Sequence, residues 1–88
     1  MIQIVFSHFM SEYISNKVYD LRAKKGLTQE ELAEKVGVTR QTVISIEKGN
    51  YTPSVYLALK FALAFKVAVE DIFKISYDPS IKTQGHGE

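Results

Sequence analysis

Apolar positions along the chain recur mostly at helical rather than alternating spacing, and Gly and Pro cut them into short runs. In ISNKVYDLRAKKG, Ile14, Val18 and Leu21 recur about a turn apart and Gly26 supplies a left-handed stop, which predicts a first helix over about 15–25. Thr28 followed three residues later by Glu31 is a capping box, set ahead of Leu32, Ala33 and Val36. A second, short helix is therefore expected over about 29–36. Gly37 and Val38 separate it from TRQTVISIEKG, where Thr39 is the natural N-cap and Gly49 the natural end of a third helix over about 40–48.

Two helices of about two turns, joined by so short a link, have the form of the αα-hairpin called helix-turn-helix, whose members cross steeply. Val43 and Ile46 share one face of the third helix, which leaves Arg40, Gln41, Ile44 and Ser45 pointing elsewhere. GNYTPS is rich in turn formers, and Pro53–Ser54 announces a fourth helix. From Val55 to Phe65 every residue except Lys60 is apolar or tyrosine, so that helix must be buried on more than one side. A domain this small cannot surround it, and the surplus face is most simply covered by a second subunit. VEDIF predicts a last short helix with Glu70 and Asp71 in its first turn and Ile72 and Phe73 for the core.

The ends differ from this body. MIQIVF carries the β-branched and aromatic residues of a short strand suited to pairing with its own copy across a dimer axis. Residues 1–14 are thus expected to be an apolar extension that contributes to dimerisation, and 74–88, with no sustained period, a mobile or loosely docked tail. The extension lacks a basic leader region and is broken by Gln3, Ser7 and His8, so neither a signal peptide nor a membrane span is expected.

With 88 residues, 45% of them hydrophobic and 24% charged, the composition suits a single soluble domain. No cysteine is present, which removes disulfides and thiolate metal sites, and a cytoplasmic location is expected. The net charge of +1 argues neither for nor against a polyanionic partner, because local distribution decides that. Between residues 17 and 48, seven basic residues face five acidic ones, a surplus of +2. Electrostatic affinity for any polyanion should then be modest and strongly dependent on salt.

The stretch LRAKKGLTQEELAEKVGVTRQTVISIEKGNYTPS resembles the DNA-binding domain of the phage-repressor and Cro-like helix-turn-helix regulators. The resemblance covers roughly residues 15–73 and implies an all-α, five-helix, lambda-repressor-like fold. It implies a sequence-specific transcriptional regulator that binds double-stranded DNA as a homodimer, with the third helix in the major groove of a roughly palindromic operator. The N-terminal turn of such a helix points into the groove, so Thr39, Arg40 and Gln41 would reach base edges first, with Ile44 and Ser45 one turn on. Arg suits guanine and Gln suits adenine, while Thr39 and Ile44 suit thymine methyls. The family's phosphate-contacting glutamine corresponds to Gln29 at a helix N-terminus, and Thr42, Lys48, Asn50 and Tyr51 are the other phosphate candidates. In the family an arginine of the first helix pairs with a glutamate at the end of the third. Arg22 and Glu47 stand at those positions and are expected to form a structural ion pair.

Departures from the family lie at Lys66, where glycine is usual, and at Ala68, in place of a capping serine or proline. His8 and His86 have no metal-spaced neighbours, and Glu30, Glu31 and Glu34 read as a solvated helix face. No metal, cofactor or enzymatic activity is expected. The competing expectation is an antitoxin-like or scaffolding module that holds a protein partner through the fourth helix and the N-terminus, with DNA binding secondary or lost.

Overall fold

The computed structural model describes residues 11–78; His8, His86 and the segment expected to pair across a dimer axis lie outside them. Strand β1 (Ser11–Asn16) leads into helices α1 (Val18–Lys24), α2 (Gln29–Val36), α3 (Arg40–Glu47) and α4 (Val55–Phe65). One 3-10 turn (Val69–Asp71) and strand β2 (Phe73–Asp78) follow. Among the described residues no helix is long and apolar enough to cross a membrane.

Caps set the helix bounds. Thr28 accepts from Glu31 N while Glu31 Oε1 accepts from Thr28 N, completing the capping box of α2. Ser54 Oγ accepts from Leu57 N at the start of α4. Between α2 and α3, Gly37 adopts φ 79° and ψ 35°, and the Val38 N–H returns to Ala33 O, a turn that ends one helix and aims the next within three residues. The core gathers one stripe from each element: Val18 of α1, Leu32 and Val36 of α2, Val43 and Ile46 of α3, Leu57, Phe61 and Phe65 of α4, and Ile72. Phe61 is its centre, fully buried, stacked on Phe65 at 6.2 Å and edge-on to Phe73 at 6.0 Å between ring centroids.

The five-helix expectation needs correction. Residues 15 and 16 belong to β1, and the first helix starts only at Val18, whose N–H is capped by Asn16 Oδ1 at 3.0 Å. Ile14 sits opposite Ile75 in an antiparallel ribbon rather than one helical turn below Val18. The expected fifth helix shrinks to a single 3-10 turn. Ala68 offers no side-chain acceptor, and only the reverse contact is made, from Ala68 N to Asp71 Oδ2 at 3.3 Å. The division into extension, domain and tail shifts accordingly, because residues 11–14 and 74–78 pair with each other. The ribbon is rooted in the bundle where Lys17 N–H donates to Ile72 O at 2.9 Å. The described residues thus form four helices, a 3-10 turn and a two-stranded ribbon.

Lys66 closes α4 in the left-handed conformation, φ 60° and ψ 42°, with Val67 N–H bonded to Ala62 O at 3.2 Å. It accepts the strain that glycine would avoid, on the order of 1 kcal/mol.

Candidate nucleic-acid interface

α3 is a helix with two faces. Val43 and Ile46 are fully buried, whereas Arg40 and Gln41 are exposed and Thr42, Ile44 and Ser45 half-buried. That division follows from helical spacing, since positions three apart share a face and those between them turn outward. Thr39 caps the helix, its Oγ1 accepting from Thr42 N at 3.2 Å and lying 3.1 Å from Thr42 Oγ1.

Beyond α3 the chain turns sharply. Gly49 N–H returns to Ile46 O and Asn50 N–H to Ser45 O, both at 2.9 Å, which fixes where the exposed Lys48, Asn50 and Tyr51 stand.

The end of α3 is clamped from three elements. Arg22 Nε donates to Glu47 Oε2 at 2.6 Å and its Nη2 to Oε1 at 3.3 Å, a two-point ion pair between α1 and α3. Hydrogen bonding to Glu47 raises the Arg22 pKa further above its already high value; burial opposes the shift and the Glu47 charge reinforces it. The Arg22 Nη1 also donates to Leu27 O at 2.9 Å. Gln29, placed among the phosphate candidates on sequence, directs its Nε2 to Glu47 Oε1 at 3.0 Å. Its side chain is thus the third member of the clamp, a role that residue type and spacing do not signal. Asn16 of β1 adds a further anchor, its Nδ2 donating to Ile46 O at 2.9 Å. Asn16 lies two residues before Val18, whose N–H it accepts, and its second bond is a tertiary contact thirty residues away.

Two short helices joined through a glycine turn, the second packed on one side and polar on the other, define a helix that can lie in a DNA groove. Comparison with known proteins gives the same class. The family model that matches is described as helix-turn-helix and spans residues 18–72. The chain belongs to this family, and it is a DNA-binding transcriptional regulator. The HTH-type transcriptional regulator YgzD of Bacillus subtilis is 58% identical over 60 residues, covering 68% of this chain and 91% of that protein. The regulator MJ0272 of Methanocaldococcus jannaschii is 57% identical over 60 residues, with the same coverage of 68% and 91%. The cryptic phage CTXphi transcriptional repressor RstR of Vibrio cholerae is 34% identical over 58 residues, 66% of this chain and 52% of that one. Among solved structures, the restriction-modification controller protein C.AhdI of Aeromonas hydrophila superposes with a TM-score of 0.60 at 34% identity, over 62% of this chain and 83% of that chain.

Proposed function

We propose that the protein acts in the cytoplasm as a homodimer on a roughly palindromic operator, each subunit laying α3 in a major groove. The two-faced character of α3 carries this reading: burial of Val43 and Ile46 holds the helix while Arg40 and Gln41 stand free at its N-terminal turn. Arg40 reads guanine, Gln41 adenine, and Thr39, Ile44 and Ser45 complete the base-facing set. Thr42, Lys48, Asn50 and Tyr51 hold phosphates, joined by the N-terminal turn of α2 at Gln29. Half-site centres then lie about one helical turn, roughly 34 Å, apart.

The dimer reading rests on α4. Val55, Tyr56, Leu59 and Leu63 form a stripe along its outer side, 77, 73, 50 and 75% exposed. Side chains of these types supply roughly 500 Å² per copy, the larger part of the ~800 Å² each partner contributes to a standard interface. A second copy meets the stripe with the same stripe, as a two-fold axis requires.

The test is selection from a pool of random DNA duplexes, followed by titration of the enriched sequence at several salt concentrations. Enrichment of a two-fold sequence, lost on Arg40→Ala with Gln41→Ala, is the expected result. Binding without sequence preference and indifferent to both substitutions would sink it. The exposed α4 stripe also favours the alternative, an antitoxin-like or scaffolding module; a monomer that enriches no DNA would transfer the weight to it.

A further inference from the structure

We propose that Asn16 is a positioning residue for DNA reading, fixing the C-terminal end of α3 to the β1–β2 ribbon. The proposal rests on the reading of α3 as the base-contacting helix.

Asn16 is the last residue of β1 and precedes the segment that the helix-turn-helix family model matches. Its amide does two separate jobs. Oδ1 accepts from Val18 N at 3.0 Å and caps α1, while Nδ2 donates to Ile46 O at 2.9 Å. The partners dictate this orientation, since the flipped amide would set a donor against the Val18 N–H and an acceptor against a carbonyl. Ile46 O is one of the carbonyls that a helix end leaves without an intrahelical partner, and it also accepts from Gly49 N at 2.9 Å. Asn16 therefore completes the acceptor's coordination from outside the helix pair.

The consequence for reading is leverage. α3 has eight residues, a rod about 12 Å long. A tilt of about 10° pivoting on one end displaces the other by about 2 Å, enough to break hydrogen bonds to base edges. Arg22 and Gln29 hold α3 through the Glu47 side chain, whereas Asn16 grips its backbone. The backbone contact also ties α3 to the ribbon, which is itself fastened to the end of the 3-10 turn through Lys17 N–H and Ile72 O.

Chemistry allows the two jobs to be separated. Asn16→Asp keeps the acceptor that caps α1 but places a carboxylate oxygen against Ile46 O; Asn16→Ser keeps a capping hydroxyl, adds no charge and is too short to reach Ile46 O. Full-length wild type and both variants are to be titrated with the wild-type-selected duplex and with the unselected random pool, below the melting transition of each. Both variants are expected to lower the ratio of selected to random affinity about tenfold. Asp alone should also weaken binding to the random pool, through its charge. An unchanged ratio in Asn16→Ser, whatever its melting temperature, would reduce Asn16 to a cap for α1 and overturn the proposal. If wild type enriches no sequence, the underlying reading of α3 falls and this inference with it; enrichment with unchanged ratios removes the inference alone.

Discussion

Arg22 of α1 and Glu47 of α3 form a two-point ion pair, 2.6 Å from Nε to Oε2, with side chains only 13% and 7% exposed. At that burial each charge depends on the other. Arg22→Met or Glu47→Leu alone should cost about 3 kcal/mol, because the survivor is left uncompensated, and the double substitution should cost clearly less than the two together. Urea denaturation of the four proteins measures the coupling. Additivity within about 0.5 kcal/mol would mean that solvent reaches the pair and that burial does not govern it.

Arg40 and Lys48 are both exposed cations, yet they should respond differently to truncation. With Arg40 in its proposed base-reading role, Arg40→Ala is expected to cost about 1–3 kcal/mol on the selected duplex, with little change on random DNA. With Lys48 in its proposed phosphate-holding role, Lys48→Ala should weaken both alike, lowering the salt slope by about one. Neither should change stability by more than about 0.5 kcal/mol, as both lie on the surface. Equal losses for Arg40→Ala on the two DNAs would reassign it to the phosphate group.

Signals confined to a few residues make most of the helices legible in the sequence. The box of Thr28 and Glu31 opens α2, Thr39 opens α3, and the apolar run from Val55 to Phe65 delimits α4. The ribbon is not legible, because Ile14 and Ile75 pair across sixty residues and neither six-residue strand carries a strong pattern alone. Ile14 even fits the period of the following helix, which hides the break at Lys17, where φ is −116°. The two faces of α3 follow directly from spacing. Gln29 and Asn16 do not, since their second partners, Glu47 and Ile46, lie on another element and depend on packing.

Lys66 stands in the left-handed region at the end of α4, where a side chain costs energy that glycine does not. Lys66→Gly should stabilise the protein by about 0.5–1 kcal/mol, the relieved strain being partly offset by the greater freedom of glycine in the unfolded chain. A Tm higher by about 2–8 °C is the corresponding thermal shift for a domain of this size. Lys66→Ala separates the causes, since it keeps the Cβ and the strain. If alanine stabilised as much as glycine, the gain would come from losing the lysine side chain.

Leu63 is three-quarters exposed at the C-terminal end of the α4 stripe, on the side opposite Phe61 and Phe65. Leu63→Glu should leave the fold intact, because the side chain contributes little to the core, but it places a charge within the apolar surface wherever α4 meets its copy. Sedimentation is expected to give a dimer for wild type and a monomer for the variant, with circular dichroism unchanged. Affinity for a full palindromic duplex should fall to near that for a single half-site, since the second α3 is no longer held by the first. Leu63→Lys carries the opposite sign and should act the same way on assembly. If glutamate and lysine both leave wild-type dimers, α4 is not the interface, and the two copies of α3 must be spaced by another surface.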